Sequence, residues 1–287
     1  MKSQRKWMLF LFLICILISP GIAKSEEGSV TKTDQSVTDS NQILIDPLTV
    51  RPLYLIQIKG DQTLGTATGF IVQKENSYYL ITNWHVVSGR NPTTNQIVHP
   101  SSQVPDALYI WHHGKQLGTW HKKKESLYEK DGTRRWLEHK NGNKIDIVAL
   151  PLQNIADDIT LYPFDLSLAD VNMVPEVAMP VSIIGFPLGF TSAGFFPIWK
   201  TGHIASEPNL DYHNEPLFLI DATTRGGMSG SPVVLRLSSG FKNKDGKMIM
   251  GSSGYRTLFL GVYSGRLSED SEIGRVWRPR LINEILQ

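Results

Sequence analysis

Between residues 53 and 263 the apolar residues fall into ten short runs (53–58, 65–72, 78–82, 108–111, 145–150, 177–184, 198–204, 217–220, 232–237 and 258–263). None exceeds eight residues, and Gly, Pro and Asn punctuate the gaps between them. Runs this short suit strands better than helices, which need roughly ten residues or more to bury a stripe. Many short strands divided by turn residues point to an all-β sandwich or barrel. No repeat and no alternation of strand with long helix appears, which argues against a parallel α/β sheet. Only the C-terminus reads as a helix: Pro279 suits a first helical position, and Leu281, Ile282, Ile285 and Leu286 share one face.

Residues 1–23 read as a secretory signal. Lys2, Arg5 and Lys6 make a basic start, residues 7–19 an apolar core, and Pro20-Gly21-Ile22-Ala23 ends on a small residue. That core is shorter than the roughly 20 residues a membrane span needs. A cut near Ala23 is therefore expected, making the protein secreted or periplasmic with no stable membrane span; an uncleaved anchor is the alternative. Cys15 is the only cysteine and lies in this core, so the cut chain has none and depends on apolar packing for stability. Residues 24–50 form a polar leader expected to be disordered. A net charge of +2 is too small to imply steering toward nucleic acid or a membrane surface.

The chemistry is concentrated in Gly226-Gly227-Met228-Ser229-Gly230-Ser231-Pro232, set between two of the apolar runs. Flanking glycines allow a tight loop that presents one hydroxyl and turns backbone N–H groups toward one point. A lone serine is a poor nucleophile and needs a base and an orienting group. Upstream, Leu80-Ile81-Thr82-Asn83-Trp84-His85 puts a histidine at the end of an apolar run. Lys144-Ile145-Asp146-Ile147-Val148 puts an aspartate inside one. A carboxylate among apolar neighbours loses hydration, and a histidine Nδ1–H beside it would offset that cost. All eight histidines precede Ser229, which excludes the α/β-hydrolase order Ser…acid…His. Ser231 is the local rival as nucleophile, but Pro232 and the run after it make it the start of a strand.

The segments Gly65-Thr66-Ala67-Thr68-Gly69-Phe70-Ile71-Val72, Thr82-Asn83-Trp84-His85-Val86-Val87, Asp146-Ile147-Val148-Ala149-Leu150 and Gly227-Met228-Ser229-Gly230-Ser231-Pro232 together resemble the trypsin-like serine peptidases. The likeness is to the cysteine-free bacterial branch with the HtrA-like proteases and glutamyl endopeptidases, and it covers residues 50–287. It implies two antiparallel six-stranded β-barrels of chymotrypsin-like type with a C-terminal α-helix: an N-terminal barrel over 51–160, carrying an insert at about 111–144, and a C-terminal barrel over 161–287. No peptide-binding domain of the HtrA kind is expected after the helix. The resemblance implies Ser229 as nucleophile, His85 as general base and acid, Asp146 as orienter, and the Gly227 and Ser229 N–H groups as an oxyanion hole. It places Thr223 and Thr224 on one side of the substrate pocket and Tyr263, Ser264 and Gly265 on the other. No acid stands at the pocket base, which argues against Arg or Lys at P1. The glutamyl endopeptidases carry histidine where this chain has Tyr263, so a small or medium apolar P1 is expected, with Arg266 the alternative donor for an acidic one. Met228 stands where most relatives have Asp or Asn, so activation by pairing with a new N-terminus is not expected. Met228 leaves open whether the oxyanion loop is preformed or ordered by substrate.

Residues 111–144 carry nine Lys/Arg against four acids, with Trp111, Trp120 and Trp136 interleaved. Such a mixture could stack on and neutralise single-stranded nucleic acid. The plainer reading is a solvated hairpin turning at Asp131-Gly132 whose tryptophans cover the barrel, so no nucleic-acid partner is expected. His112, His113 and His121 lack an H-E-x-x-H or cysteine context, so neither a metal nor another cofactor is expected. The expected partner is a peptide or protein substrate. The alternative from another class is a catalytically silent protease-fold protein that binds peptides or a partner.

Overall fold

The computed structural model describes residues 44–251 and 254–287. The expected signal and most of the leader lie outside the described residues. Leu48 and Val50, at the end of the stretch expected as leader, are buried, so the folded region begins ahead of residue 51.

In the first half, the strands are β1 (Pro52–Lys59), β2 (Gln62–Lys74) and β3 (Ser77–Thr82), followed by the short helix α1 (Trp84–Ser88). Then come β4 (Ala107–Gly114), β5 (Trp120–Ser126), β6 (Leu137–Glu138), β7 (Val148–Pro151) and β8 (Ile159–Thr160). They pair in the order β5-β4-β1-β2-β3-β7-β6, with β8 beside β4. In the second half, β9 (Pro180–Gly185), β10 (Ile198–Ile204), β11 (Leu217–Asp221) and β12 (Pro232–Leu237) are followed by the small hairpin β13 (Phe241–Lys242) and β14 (Met248–Ile249). The chain finishes with β15 (Arg256–Arg266), β16 (Ile273–Trp277) and α2 (Arg280–Ile285). Here six strands close a barrel, β10-β11-β16-β15-β12-β9.

The all-β architecture with a closing helix is as expected. The first half pairs eight strands rather than six because the insert and the connection between the halves each contribute a two-residue strand, β6 and β8. The insert turns at Asp131-Gly132 as expected, where Tyr128 and Arg134 bridge antiparallel and Glu129 N–H donates to Thr133 O at 2.8 Å, but it also turns a second time. The β4–β5 hairpin reverses at residues 115–119, with Gly114 N–H donating to Thr119 O at 2.8 Å. Asp131-Gly132 forms a separate turn in which Asp131 Oδ1 accepts the Thr133 N–H. Strand β5 hides from a hydropathy reading because its inward positions carry an ion pair, Lys123 with the buried Glu125, in place of apolar side chains.

Three apolar clusters form the core. One fills the first sheet around Leu55, Leu80, Leu108, Ile110 and Val148. A second fills the closed barrel around Ile183, Phe218, Val233 and Leu260. The third joins the halves: Phe70, Ile81 and Ile147 pack against Val234, Phe259 and Trp277, with Leu281, Ile282 and Ile285 of α2 closing it. At its centre Phe70, Phe164 and Phe259 make mutual ring contacts with centroids 4.6–5.9 Å apart. This shared core fixes the seam, and the site lies along it.

Candidate active site

His85 follows β3 by three residues, in the first turn of the five-residue helix α1. A helix start leaves backbone N–H groups without intrahelical partners. The His85 N–H donates to Asp146 Oδ1 at 2.9 Å, and the ring Nδ1 lies 2.7 Å from Asp146 Oδ2. A carboxylate only accepts, so Nδ1 carries the proton and Nε2 is left as the basic nitrogen. Asp146 is buried, as expected, but not within a strand: it sits two residues ahead of β7, after a turn at residues 142–144. Asn83 Nδ2 donates to the Asp146 carbonyl at 2.6 Å and fixes the approach.

Ser229 lies in the loop between β11 and β12 and is partly exposed. The loop demands glycine at two points. Gly227 has φ 91° and a Cβ there would fall 2.2 Å from Phe186 O. Gly230 has φ 87°, and its Cβ would fall 2.0 Å from Thr68 O. The peptide planes around Ser229 are held individually. Leu188 N–H donates to Gly226 O at 2.6 Å, and Ser231 N–H to Met228 O at 3.0 Å. In a trans peptide the N–H points opposite to its C=O. Both bonds therefore turn the Gly227 and Ser229 N–H groups away from the loop's own contacts. Among the described residues neither N–H donates a hydrogen bond.

A residue without an assigned role organises this region. Thr68 of β2 donates from its N–H to Ser229 O at 2.9 Å and from its hydroxyl to Gly227 O at 2.8 Å. Its hydroxyl also accepts from Phe186 N–H, while Thr82 Oγ1 donates to the Thr68 carbonyl. One residue of the first half thus holds two carbonyls of the loop, one by its backbone N–H and one by its hydroxyl. Its only trace in the sequence is that it sits in Gly65-Thr66-Ala67-Thr68-Gly69, where nothing separates it from a strand threonine.

Met228 is fully buried in the closed-barrel core. Ser231 is also buried, packed against Gly185, with its hydroxyl out of reach of solvent. Among the residues expected around the substrate pocket, Thr223 is exposed and Gly265 partly so. Thr224 and Tyr263 are buried, and their hydroxyls bond each other. The Tyr263 ring lies against Gly274, so it fills space between β15 and β16 and offers no free hydroxyl. Burial raises its phenol above the ordinary range. Ser264 accepts a hydrogen bond from Trp277 Nε1 at 2.9 Å. The hydroxyls of Thr224, Tyr263 and Ser264 are thus all engaged within the protein.

The tryptophans of the insert are spent on packing. Trp111 stacks on Phe195 at 3.8 Å, Trp120 packs edge-on to Phe196, and Trp136 is buried in the first core. His112 and His113 are buried in β4, and burial lowers both, His112 to about 4.

The profile of the trypsin-like peptidase domain matches residues 67–239, more than half of the chain. The chain belongs to the trypsin-like peptidase family. It is a serine-type peptidase. Among solved structures, the peptidase is similar to the active form of the Rv3671c protease from M. tuberculosis: TM-score 0.45, 15% identity, covering 83% of this chain and 80% of that one. It is similar also to the serine endoprotease from Yersinia pestis, with TM-score 0.45, 12% identity and coverage of 85% and 66%. The thermostable serine protease AL20 from an extremophilic microorganism gives TM-score 0.47, 12% identity and coverage of 84% and 98%. A comparison with curated proteins finds no match.

Proposed function

We propose that this peptidase is an exported endopeptidase that cleaves peptide bonds through an acyl-enzyme on Ser229. The observation that carries the reading is the double hydrogen bond from His85 to the buried Asp146 carboxylate, which leaves His85 Nε2 as a base. Ser229 Oγ attacks the scissile carbonyl carbon while its proton passes to His85 Nε2. The negative oxygen of the tetrahedral species is stabilised by the Gly227 and Ser229 N–H groups. The C–N bond then breaks and His85 returns the proton to the departing amine. Water repeats the sequence on the ester, freeing the acid and Ser229. Preorganised N–H donors of this kind contribute about 10²–10³-fold in rate each.

Tyr263 filling the space behind β15 supports a shallow pocket and a small or medium apolar P1, bordered by Thr223 and Gly265 and backed by Thr224, Tyr263 and Ser264. A catalytically silent binding protein would be favoured by a loop collapsed around Met228; that residue is instead buried in the barrel core. Export is supported by the sequence of residues 1–23, and amino-terminal sequencing of the exported protein should begin near Lys24. Digestion of a mixed peptide library tests the activity. The expected result is cleavage after small apolar residues by the wild type and none by Ser229→Ala. Equal cleavage by both would overturn the reading.

A further inference from the structure

The first sheet turns a row of rings away from its core. Leu55 and Ile110 point inward, so their neighbours Tyr54 of β1 and Trp111 of β4, which stand directly opposite each other, point outward. Trp120 of β5 lies opposite His113 on the same face. Onto this row packs the connection between β9 and β10, residues 186–197. Its Phe195 ring stacks on Trp111 with centroids 3.8 Å apart and planes 14° apart, and meets Tyr54 at 6.0 Å and Trp120 at 5.8 Å. Phe196 packs edge-on to Trp120 at 5.3 Å, and Phe186 meets Tyr54 at 5.1 Å. The fit at Gly194 is close: a Cβ there would fall 2.2 Å from the Trp120 ring.

The same connection touches the Ser229 loop. Its Leu188 N–H donates to Gly226 O, which sets the plane of the Gly226–Gly227 peptide and hence the direction of the Gly227 N–H. Leu188 makes that bond at φ 54°, a strained angle for a residue with a Cβ, and its own side chain is exposed. Such a residue keeps its conformation only where its surroundings enforce it. The surroundings here are the rings on either side of it in the chain, Phe186 and the Phe195-Phe196 pair.

Resting on the acyl-transfer reading, we infer that Trp111 and Trp120 are positioning residues for the oxyanion hole. By clamping Phe195 and Phe196 they hold Leu188 against Gly226 and keep the Gly227 N–H aimed at the developing negative oxygen. Among the described residues neither indole N–H has a hydrogen-bond partner, so the clamp is made by ring packing alone, and a ring without a donor replaces it. Released from the clamp, Leu188 relaxes out of its strained angle, its N–H leaves Gly226 O, and one of the two oxyanion donors turns away. The basic insert therefore serves the reaction from the far side of the sheet, without touching substrate.

The test reads the oxyanion hole itself. Each protein is acylated with a p-nitrophenyl ester of a small apolar peptide acid, isotope-labelled at the reacting carbonyl, at a pH where the ester turns over slowly. Difference infrared spectroscopy then reads that carbonyl: hydrogen bonds from the hole lower its stretching frequency. Wild type and Trp111→Phe should show the low band alone. Trp111→Ala should add a band at higher frequency and lower kcat, counted per acylated serine, at least tenfold, with KM within twofold. Phe195→Ala breaks the same stack from the loop side and should do the same, so the test does not depend on Trp111→Ala folding. The double variant should be no worse than either single one, because both remove one clamp. An unshifted carbonyl band in Trp111→Ala and Phe195→Ala, whether or not kcat falls, would overturn the assignment while the catalytic reading stands. Failure of the wild type to form any acyl-enzyme would overturn both.

Discussion

The two halves of the molecule hold their parts of the proposed site by different forces. In the first half the holding is polar and directional: the buried Asp146 takes two hydrogen bonds from His85, and Asn83 ties down its carbonyl. In the second half the Ser229 loop is held by backbone hydrogen bonds and by burial of Met228 among apolar side chains. The difference follows from what each part is asked to do. A base must keep one tautomer, which only a directed hydrogen bond enforces. A nucleophile loop must keep a position, which packing and backbone bonds secure without a charge. Thr68 is where the two systems meet, since it belongs to the first half and bonds two carbonyls of the second.

The largest break in this comparison is expected at the polar end. Asp146→Asn keeps the shape but donates toward Nδ1, forcing the proton onto Nε2, and kcat should fall about 10⁴-fold. Steady-state kinetics on a cleaved peptide measure it, with KM nearly unchanged. The apolar end should answer in stability. Met228→Ala leaves a cavity in the barrel core and should cost about 2–5 kcal/mol in denaturant unfolding.

Acid should separate the halves next. His112 is buried in the first sheet, and burial, with the Lys123 charge adding, lowers it from 6.5 to about 4. The unfolded chain then binds a proton that the folded chain refuses between those values, so stability falls as pH drops below about 6.5 and levels off near 4. From pH 7 to pH 5 the loss should be about 2 kcal/mol. Thermal unfolding at the two pH values, with His112→Phe flattening the difference, checks it. The smallest effect should come from the bridge. Thr68→Val leaves the Gly227 carbonyl and the Phe186 N–H unpartnered, costing about 1–3 kcal/mol of stability. Its kcat should drop about tenfold while KM is held, since it tilts the loop without touching substrate.

Much of this was legible in the residues, for identifiable reasons. Strand β10 matches its apolar run end to end, and Leu281, Ile282 and Ile285 of α2 are buried as their spacing requires. A carboxylate in an apolar run announces a partner, and Asp146 has one. Helix α1 was hidden because five residues are too few to display a period. Strand β5 was hidden because Lys123 and Glu125 neutralise each other where apolar residues would stand. Strand β16 reads as Ile-Gly-Arg-Val-Trp, broken by a glycine and a charge, although Val276 and Trp277 are core residues. The pairing of Thr224 with Tyr263 is hidden for a different reason: the two hydroxyls satisfy each other across 39 residues, and sequence separation gives no hint of it. Thr68 was invisible because its partners lie more than a hundred residues away.

The central claim is that one hydroxyl in this fold is made nucleophilic by the His85–Asp146 pair. A fluorophosphonate probe reacts with such a hydroxyl and ignores an ordinary serine. On folded protein, mass spectrometry of the digested adduct should find one probe per chain, on Ser229, with no labelling of Ser229→Ala and strongly slowed labelling of Asp146→Asn. Folded wild type that stays unlabelled, or a label that persists at Ser231 or elsewhere in Ser229→Ala, would contradict it.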